Sequence, residues 1–229
     1  MATIKRRAIS ESQKQERQQA ILTTALELFE EKSYQEITLE MVAARLGIAR
    51  ATLYLYFKTR EELFLAVLEQ LHRQFQVALG VELETLLANS RENRPTIPQI
   101  ADLISKTLVK HWSATRLAVL LPTVLEQNVD FETALAFKRG MLACTLPTLE
   151  LLEEALPFLK GGRGTQFMLR IQTIITGLQP YTNPAPVIQQ VTEQPDMAIF
   201  RLDFREECTQ LLRALLYGME YESRLTSQS

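Results

Sequence analysis

Residues 38–57 read Thr-Leu-Glu-Met-Val-Ala-Ala-Arg-Leu-Gly-Ile-Ala-Arg-Ala-Thr-Leu-Tyr-Leu-Tyr-Phe, and their spacing decides the fold. A helix-turn-helix needs two short helices crossing steeply at a tight turn, the second with one buried and one exposed side. Thr38 suits the N-cap of a helix running to Leu46. Gly47 stands where a left-handed backbone is free of a Cβ clash, and a second short helix is predicted from about Ala49 to Tyr56. Ala43 is small where the helices approach. Val42, Leu46, Ile48, Leu53 and Phe57 form a small core, which leaves Arg50, Ala51, Thr52, Tyr54 and Tyr56 facing outward. Arginine can bond guanine O6 and N7 together, while hydroxyl and phenol groups suit phosphates and thymine edges. Taken alone, the same pattern also fits an ordinary helical hairpin with a glycine turn.

Helical periodicity dominates the flanking sequence. Ile21, Leu22, Ala25, Leu28 and Phe29 share one face of a helix over about residues 11–32. Thr59-Arg60-Glu61-Glu62 reads as a capping box that opens a long helix to about Leu87. A loop with two prolines follows over 89–98. Further helices are expected at about 100–112, 116–127, 131–158, 165–178 and 198–221, with Pro122 and Pro147 kinking or dividing theirs. Gly161-Gly162-Arg163-Gly164 is a break, and 179–196, with four prolines, is a long connection with room for one short turn of helix. The expected fold class is all-α with about nine helices: a helix-turn-helix domain over residues 1–60 and a larger helical domain over 61–229.

The net charge of −2 conceals an asymmetry. Residues 1–60 sum to +3 and residues 61–229 to −5, so a basic head sits on an acidic body, which suits a polyanionic partner. No stretch of about 18 uncharged apolar residues suggests a membrane span, and no apolar signal core follows Lys5-Arg6-Arg7. A cytoplasmic location with no membrane partner is expected. Cys144 and Cys208 stand alone and are read as reduced, partly buried thiols.

The head resembles the N-terminal domain of TetR-family (tetracycline-repressor-like) transcription regulators. The likeness spans about residues 12–66: Ala25-Leu26-Glu27-Leu28-Phe29, then Ile37-Thr38-Leu39-Glu40-Met41-Val42-Ala43, then Leu46-Gly47-Ile48. It is most specific over Thr52-Leu53-Tyr54-Leu55-Tyr56-Phe57-Lys58-Thr59-Arg60-Glu61-Glu62-Leu63. The resemblance implies a homodimer, joined through its C-terminal domain, that places two recognition helices in a near-palindromic double-stranded DNA operator, with half-sites about 34–36 Å apart. By position, Arg50, Ala51, Thr52, Tyr54 and Tyr56 would face DNA. Lys58 and Arg60 would approach phosphates, and Thr38 would touch one while capping its helix. The arm Lys5-Arg6-Arg7 is equally consistent with a DNA contact and with a solubilising tail.

The resemblance also implies a repressor released by a small-molecule effector bound in the second domain, which moves the helix starting near Thr59. Residues 100–178 are apolar enough for either a pocket or a plain core. Candidate lining residues are His111, Trp112, Arg116, Phe131, Phe137, Met141 and Phe167, a set that favours an apolar or amphipathic ligand. For the dimer, Phe167, Ile171, Ile174 and Leu178 form one apolar stripe and Phe204, Cys208, Leu211, Leu212 and Leu215 another. Two such helices from each copy would make a four-helix bundle; the alternative is packing within one chain.

No metal, cofactor or catalytic constellation is expected. His72 and His111 are far apart, and no HExxH, GxSxG, phosphate-binding loop or dinucleotide fingerprint occurs. Glu153-Glu154 and Glu206-Glu207 are adjacent pairs that diverge on a helix. The alternatives that stay open are an activator using the same head, or a helical ligand-binding or scaffold protein without a DNA role.

Overall fold

The computed structural model describes residues 2–90 and 94–226, with side chains from residue 12 onward; the side chains of Lys5, Arg6 and Arg7 lie outside the described set. No strand occurs among the described residues, and nine helices have seven or more residues, in line with the periodicity. The helices are α1 (Ala2–Glu31), α2 (Leu39–Leu46), α3 (Arg50–Tyr54), α4 (Arg60–Asn89), α5 (Ile97–Lys110), α6 (Trp112–Leu120), α7 (Phe131–Ala155), α8 (Arg163–Thr182), α9 (Pro186–Thr192) and α10 (Phe204–Thr226).

The prolines act unequally. Pro122 ends regular α-helix as expected: α6 stops at Leu120 and gives way to a widened turn over Leu121–Leu125, then a tight one over Glu126–Asn128. Pro147 does not divide its helix, since α7 runs unbroken through it. Pro98 lies inside the first turn of α5, where a missing N–H costs nothing. That turn opens at Thr96, whose backbone N–H donates to Gln99 Oε1 at 2.8 Å. The last helix starts later than its apolar pattern suggested. Ala198, Ile199 and Phe200 belong to a separate tight turn over Pro195–Phe200, and Asp203 caps α10 by accepting from Glu206 N at 2.9 Å.

The chain divides into two compact units, Met1–Gln70 with Leu121–Lys138, and Leu71–Leu120 with Arg139–Ser229. In the first, Ile21, Ala25, Leu28 and Phe29 of α1 are buried with Val42, Ala43, Leu53, Phe57, Leu63 and Phe64. Phe64 sits edge-on to both Phe29 and Tyr34, with ring centroids 5.8 and 5.1 Å apart. In the second, α10 packs along α5 and α8. Phe75, Leu79 and Leu83 of α4 share that core with Ile100 and Ile104 of α5, Leu152 of α7, Phe167 and Ile171 of α8, and Cys208 and Leu212 of α10.

The second unit also holds a polar cluster. The partly buried His72 on α4 places Nε2 2.9 Å from Thr145 Oγ1 of α7, and that hydroxyl donates to the Met141 carbonyl at 2.8 Å, so the imidazole is the donor. Burial lowers the His72 pKa from 6.5 to about 4. Between those values the unfolded chain binds more protons than the folded one. The stability from neutral His72 is therefore complete above pH 6.5 and is lost as pH falls toward 4. His111, lowered by burial and then by Lys110, has the same sign. Chemical denaturation at pH 7 and pH 5 should show a loss that is smaller in His72→Gln by on the order of 1 kcal/mol, with the share of His111 remaining; an equal loss in both proteins would remove His72 from the account.

Candidate nucleic-acid interface

Local chemistry sets the two short helices. Thr38 Oγ1 accepts from Met41 N at 3.3 Å and caps α2. Gly47, at φ 69° and ψ 30°, ends that helix in the left-handed region, and Ile48 N returns to the Ala43 carbonyl at 3.0 Å. Ala49 is extended, and α3 begins at Arg50. This helix is shorter than its spacing suggested. Leu55 N and Tyr56 N bond back three residues, to Thr52 O at 3.3 Å and Leu53 O at 2.9 Å, so the chain tightens after Tyr54. Leu53 and Phe57 are buried, whereas Leu46 and Ile48 are only half-buried and line a groove instead.

On the outward side, Arg50, Ala51, Tyr54 and Lys58 are exposed and Thr52 and Tyr56 half-buried. Arg50 is already engaged. Its Nη2 lies 2.6 Å from Glu40 Oε1 and donates to Tyr54 OH at 3.1 Å, with Cζ 5.3 Å from the Tyr54 ring centroid. The Tyr54 hydroxyl in turn points to Glu40 Oε1 at 3.4 Å. Glu40 is held below the usual carboxylate range, first by its own backbone N–H, then by the Thr38 hydroxyl, Arg50 and Tyr54.

Lys58 and Arg60 part company. Lys58 contributes its backbone N–H to Glu62 Oε2 at 2.7 Å while Glu62 N donates to Thr59 Oγ1 at 3.1 Å. The expected capping box thus closes one residue early, on Lys58 rather than Thr59. Arg60 turns inward. Nη1 donates to the carbonyls of Tyr34 and Ile37, each at 3.1 Å, Nη2 meets Glu61 at 3.3 Å, and Cζ lies 4.1 Å from the Tyr34 ring centroid. Its position in sequence suggested a phosphate contact. The structure instead ties it to the loop before α2.

The spacing missed a contribution from α1. Gln13, Lys14, Glu16 and Arg17 face Leu46, Ile48, Thr52, Leu55 and Tyr56 across an open groove of about 1000 Å³. Lys14 and Arg17, three residues apart on one helix, were the available signal. Leu55, 83% exposed, adds an apolar tip after α3.

Residues 21–67 match the family described as bacterial regulatory proteins, tetR family, and residues 67–223 match the tetracyclin repressor-like C-terminal domain. The chain belongs to the TetR family. It is a DNA-binding transcription regulator whose helix-turn-helix is the site just described. It is 32% identical to the HTH-type transcriptional regulator EthR of Mycobacterium tuberculosis over 152 residues, 59% of this chain and 68% of that one. It is 25% identical to the fatty acid metabolism regulator protein of Bacillus subtilis over 116 residues, 51% of this chain and 56% of that one. The TetR family repressor AlkX from Dietzia sp. strain DQ12-45-1b aligns over 89% of this chain and 95% of its own, with a TM-score of 0.46 and 16% identity.

Two sets of candidate residues outside the head of this TetR-family chain are scattered or internal. Phe131 is 73% exposed, Phe137 is buried in the first unit, and Phe167 is fully buried in the second unit's core. His111, Trp112, Arg116 and Met141 are half-buried. His111 meets Phe75 edge-on at 6.0 Å and Trp112 meets Phe204 at 5.1 Å. The two stripes expected at a dimer interface lie largely within the chain. Phe167, Ile171, Leu178, Phe204, Cys208 and Leu212 are buried inside one chain, with Ile174 and Leu215 packed against them. Only Leu211 is exposed. The stripes face inward because α8 and α10 pack against each other. No helix among the described residues is long and apolar enough to cross a membrane.

Arg60→Met should lower stability by about 2–3 kcal/mol, because two carbonyls lose a charged donor. Thermal melting of the variant checks this; an unchanged melt with weakened DNA binding would return Arg60 to the phosphate role.

Proposed function

We propose that this TetR-family regulator is a repressor that grips a near-palindromic operator as a homodimer and leaves it when a small apolar or amphipathic ligand binds the larger unit. The observation that carries the proposal is one outward face on which Arg50, Ala51, Tyr54 and Lys58 are exposed and Thr52 and Tyr56 half-buried, locked from behind by buried Leu53 and Phe57. Arg50 and Thr52 are assigned to base edges and Tyr54, Tyr56 and Lys58 to the backbone, with Thr38 at the phosphate beside its cap. Lys14 and Arg17 extend the basic surface along the groove. Arg60 is left out, since its guanidinium is spent on carbonyls.

Enrichment of duplexes from a random library tests the DNA role. The enriched sites should be two inverted halves, and affinity should fall steeply with salt. Lys58→Ala should weaken all sequences alike and reduce the salt slope by about one, whereas Arg50→Ala should cost about 1–3 kcal/mol at one base position. Failure to enrich any duplex, or a flat salt response, would overturn the assignment.

For the dimer, the outer faces of α8 and α10 replace the buried stripes. Leu169, Thr173, Gly177 and Tyr181 recur along α8, and Leu211, Ala214, Gly218 and Tyr221 along α10, all exposed. A Cβ at Gly177 or Gly218 would meet nothing within 4 Å in the single chain, so a second helix pair can approach closely there. Leu211→Arg combined with Tyr221→Arg should halve the mass seen by sedimentation velocity and weaken operator binding. A mass equal to that of the unaltered chain would move the interface elsewhere.

For the effector, the half-buried His111, Trp112, Arg116 and Met141 are assigned to the ligand. Exposed Phe131 and core-bound Phe137 and Phe167 are set aside. Release then requires the ligand to prefer the conformation that does not bind DNA.

A further inference from the structure

We infer that Glu40 is a specificity-determining residue: its carboxylate holds Arg50 and releases it more readily to the neutral edge of a guanine than to a phosphate. The inference rests on the DNA-reading role proposed above for Arg50.

The chemistry turns on one nitrogen. A guanidinium presents two bidentate edges, Nη1 with Nη2 and Nε with Nη2, and both include Nη2. Nη2 carries two protons. In this structure Nη2 donates one to Tyr54 OH, 3.1 Å away, and Glu40 Oε1 lies 2.6 Å from the same nitrogen as its ion-pair partner. Either edge therefore meets an acceptor already seated at Nη2 before it can grip guanine O6 and N7 together. Arg50 must first leave Glu40.

Leaving has consequences that differ between DNA sequences. The pair is solvent-exposed, with side chains 64% and 44% accessible, so breaking it is a modest step. The freed carboxylate, however, stays on the first turn of α2, on the face that meets a polyanion, with Thr38 and its own N–H holding it charged. A phosphate can also take two guanidinium protons, but it brings its own negative charge beside that carboxylate, so it offsets the loss poorly. A guanine that takes both protons of one edge offsets it well. Tyr54 adds a return path, because its ring lies under the guanidinium and its hydroxyl bridges Arg50 and Glu40. Glu40 therefore suppresses binding to random sequence more than binding to the operator.

The test is a double-mutant cycle in the full chain, with Glu40→Gln, Arg50→Ala and both together, each measured on a random-sequence duplex and on the duplex the unaltered protein enriches from a random library. Glu40→Gln keeps the shape and the first-turn position, so folding is not at issue. It should tighten binding to the random duplex about 2- to 5-fold and steepen its salt slope by about one, as freed Arg50 takes a phosphate. Affinity for the enriched duplex should change less, so the specificity ratio falls. In the Arg50→Ala background the same change should leave the salt slope unaltered. An equal gain in both backgrounds would mean simple repulsion between Glu40 and DNA, and would overturn the inference while leaving the DNA role intact. If the unaltered chain enriches no duplex, the DNA role itself fails and this inference with it.

Discussion

A helix of five residues has no stability of its own, because nucleation costs more than one turn of hydrogen bonds returns. α3 is such a helix, and it exists because Leu53 and Phe57 are buried beneath it while Gly47 turns the chain sharply enough to bring it there. Everything the head presents outward depends on that anchoring. Complete burial of Leu53 contributes about 1.5–3 kcal/mol, and it fixes the rotation of α3, so that Arg50, Ala51 and Tyr54 are exposed. Phe29 of α1 and Phe64 of α4 meet edge-on in the same core, and α2 packs against both α1 and α3.

Two arginines of the head, one exposed and one half-buried, are held by the protein itself. Arg50 is closed on Glu40 and Tyr54, and Arg60 is folded onto the Tyr34 and Ile37 carbonyls and the Tyr34 ring. These look alike in sequence but differ in kind. Arg50's partners are exposed side chains in high dielectric, which can be exchanged for a ligand at small cost. Arg60's partners are backbone carbonyls, which would be left short of a donor, and its guanidinium also lies over the Tyr34 ring. One is a reversible engagement and the other is part of the scaffold.

The larger unit shows the same division between inside and outside on α8 and α10. Each helix carries two apolar faces. One is consumed in the core with α4, α5 and α7; the other carries Leu169, Tyr181, Leu211 and Tyr221 in the open. Periodicity finds the first face more readily because large apolar side chains recur there at nearly every turn, whereas Thr173 and Ala214 dilute the second. The outer face, interrupted by Gly177 and Gly218, makes a weaker pattern but offers closer approach.

By itself the sequence determined the helical class, the glycine turn at Gly47, the cap at Thr38 and the family pattern from Thr52 to Leu63. These are local properties: backbone φ at one residue, side-chain periodicity, and residue types a few positions apart. It also showed the effect of Pro122 on α6, because a missing N–H acts where it stands. Only the tertiary structure decided which apolar stripe of α8 and α10 is core, that Pro147 leaves α7 whole, that Lys14 and Arg17 share a groove with Thr52, and that Arg60 is scaffold while Arg50 is held by Glu40. Those outcomes depend on which of several chemically acceptable partners lies within reach. Glu40 and Arg50 sit on different helices, so only the crossing at the Gly47 turn brings the carboxylate to the guanidinium.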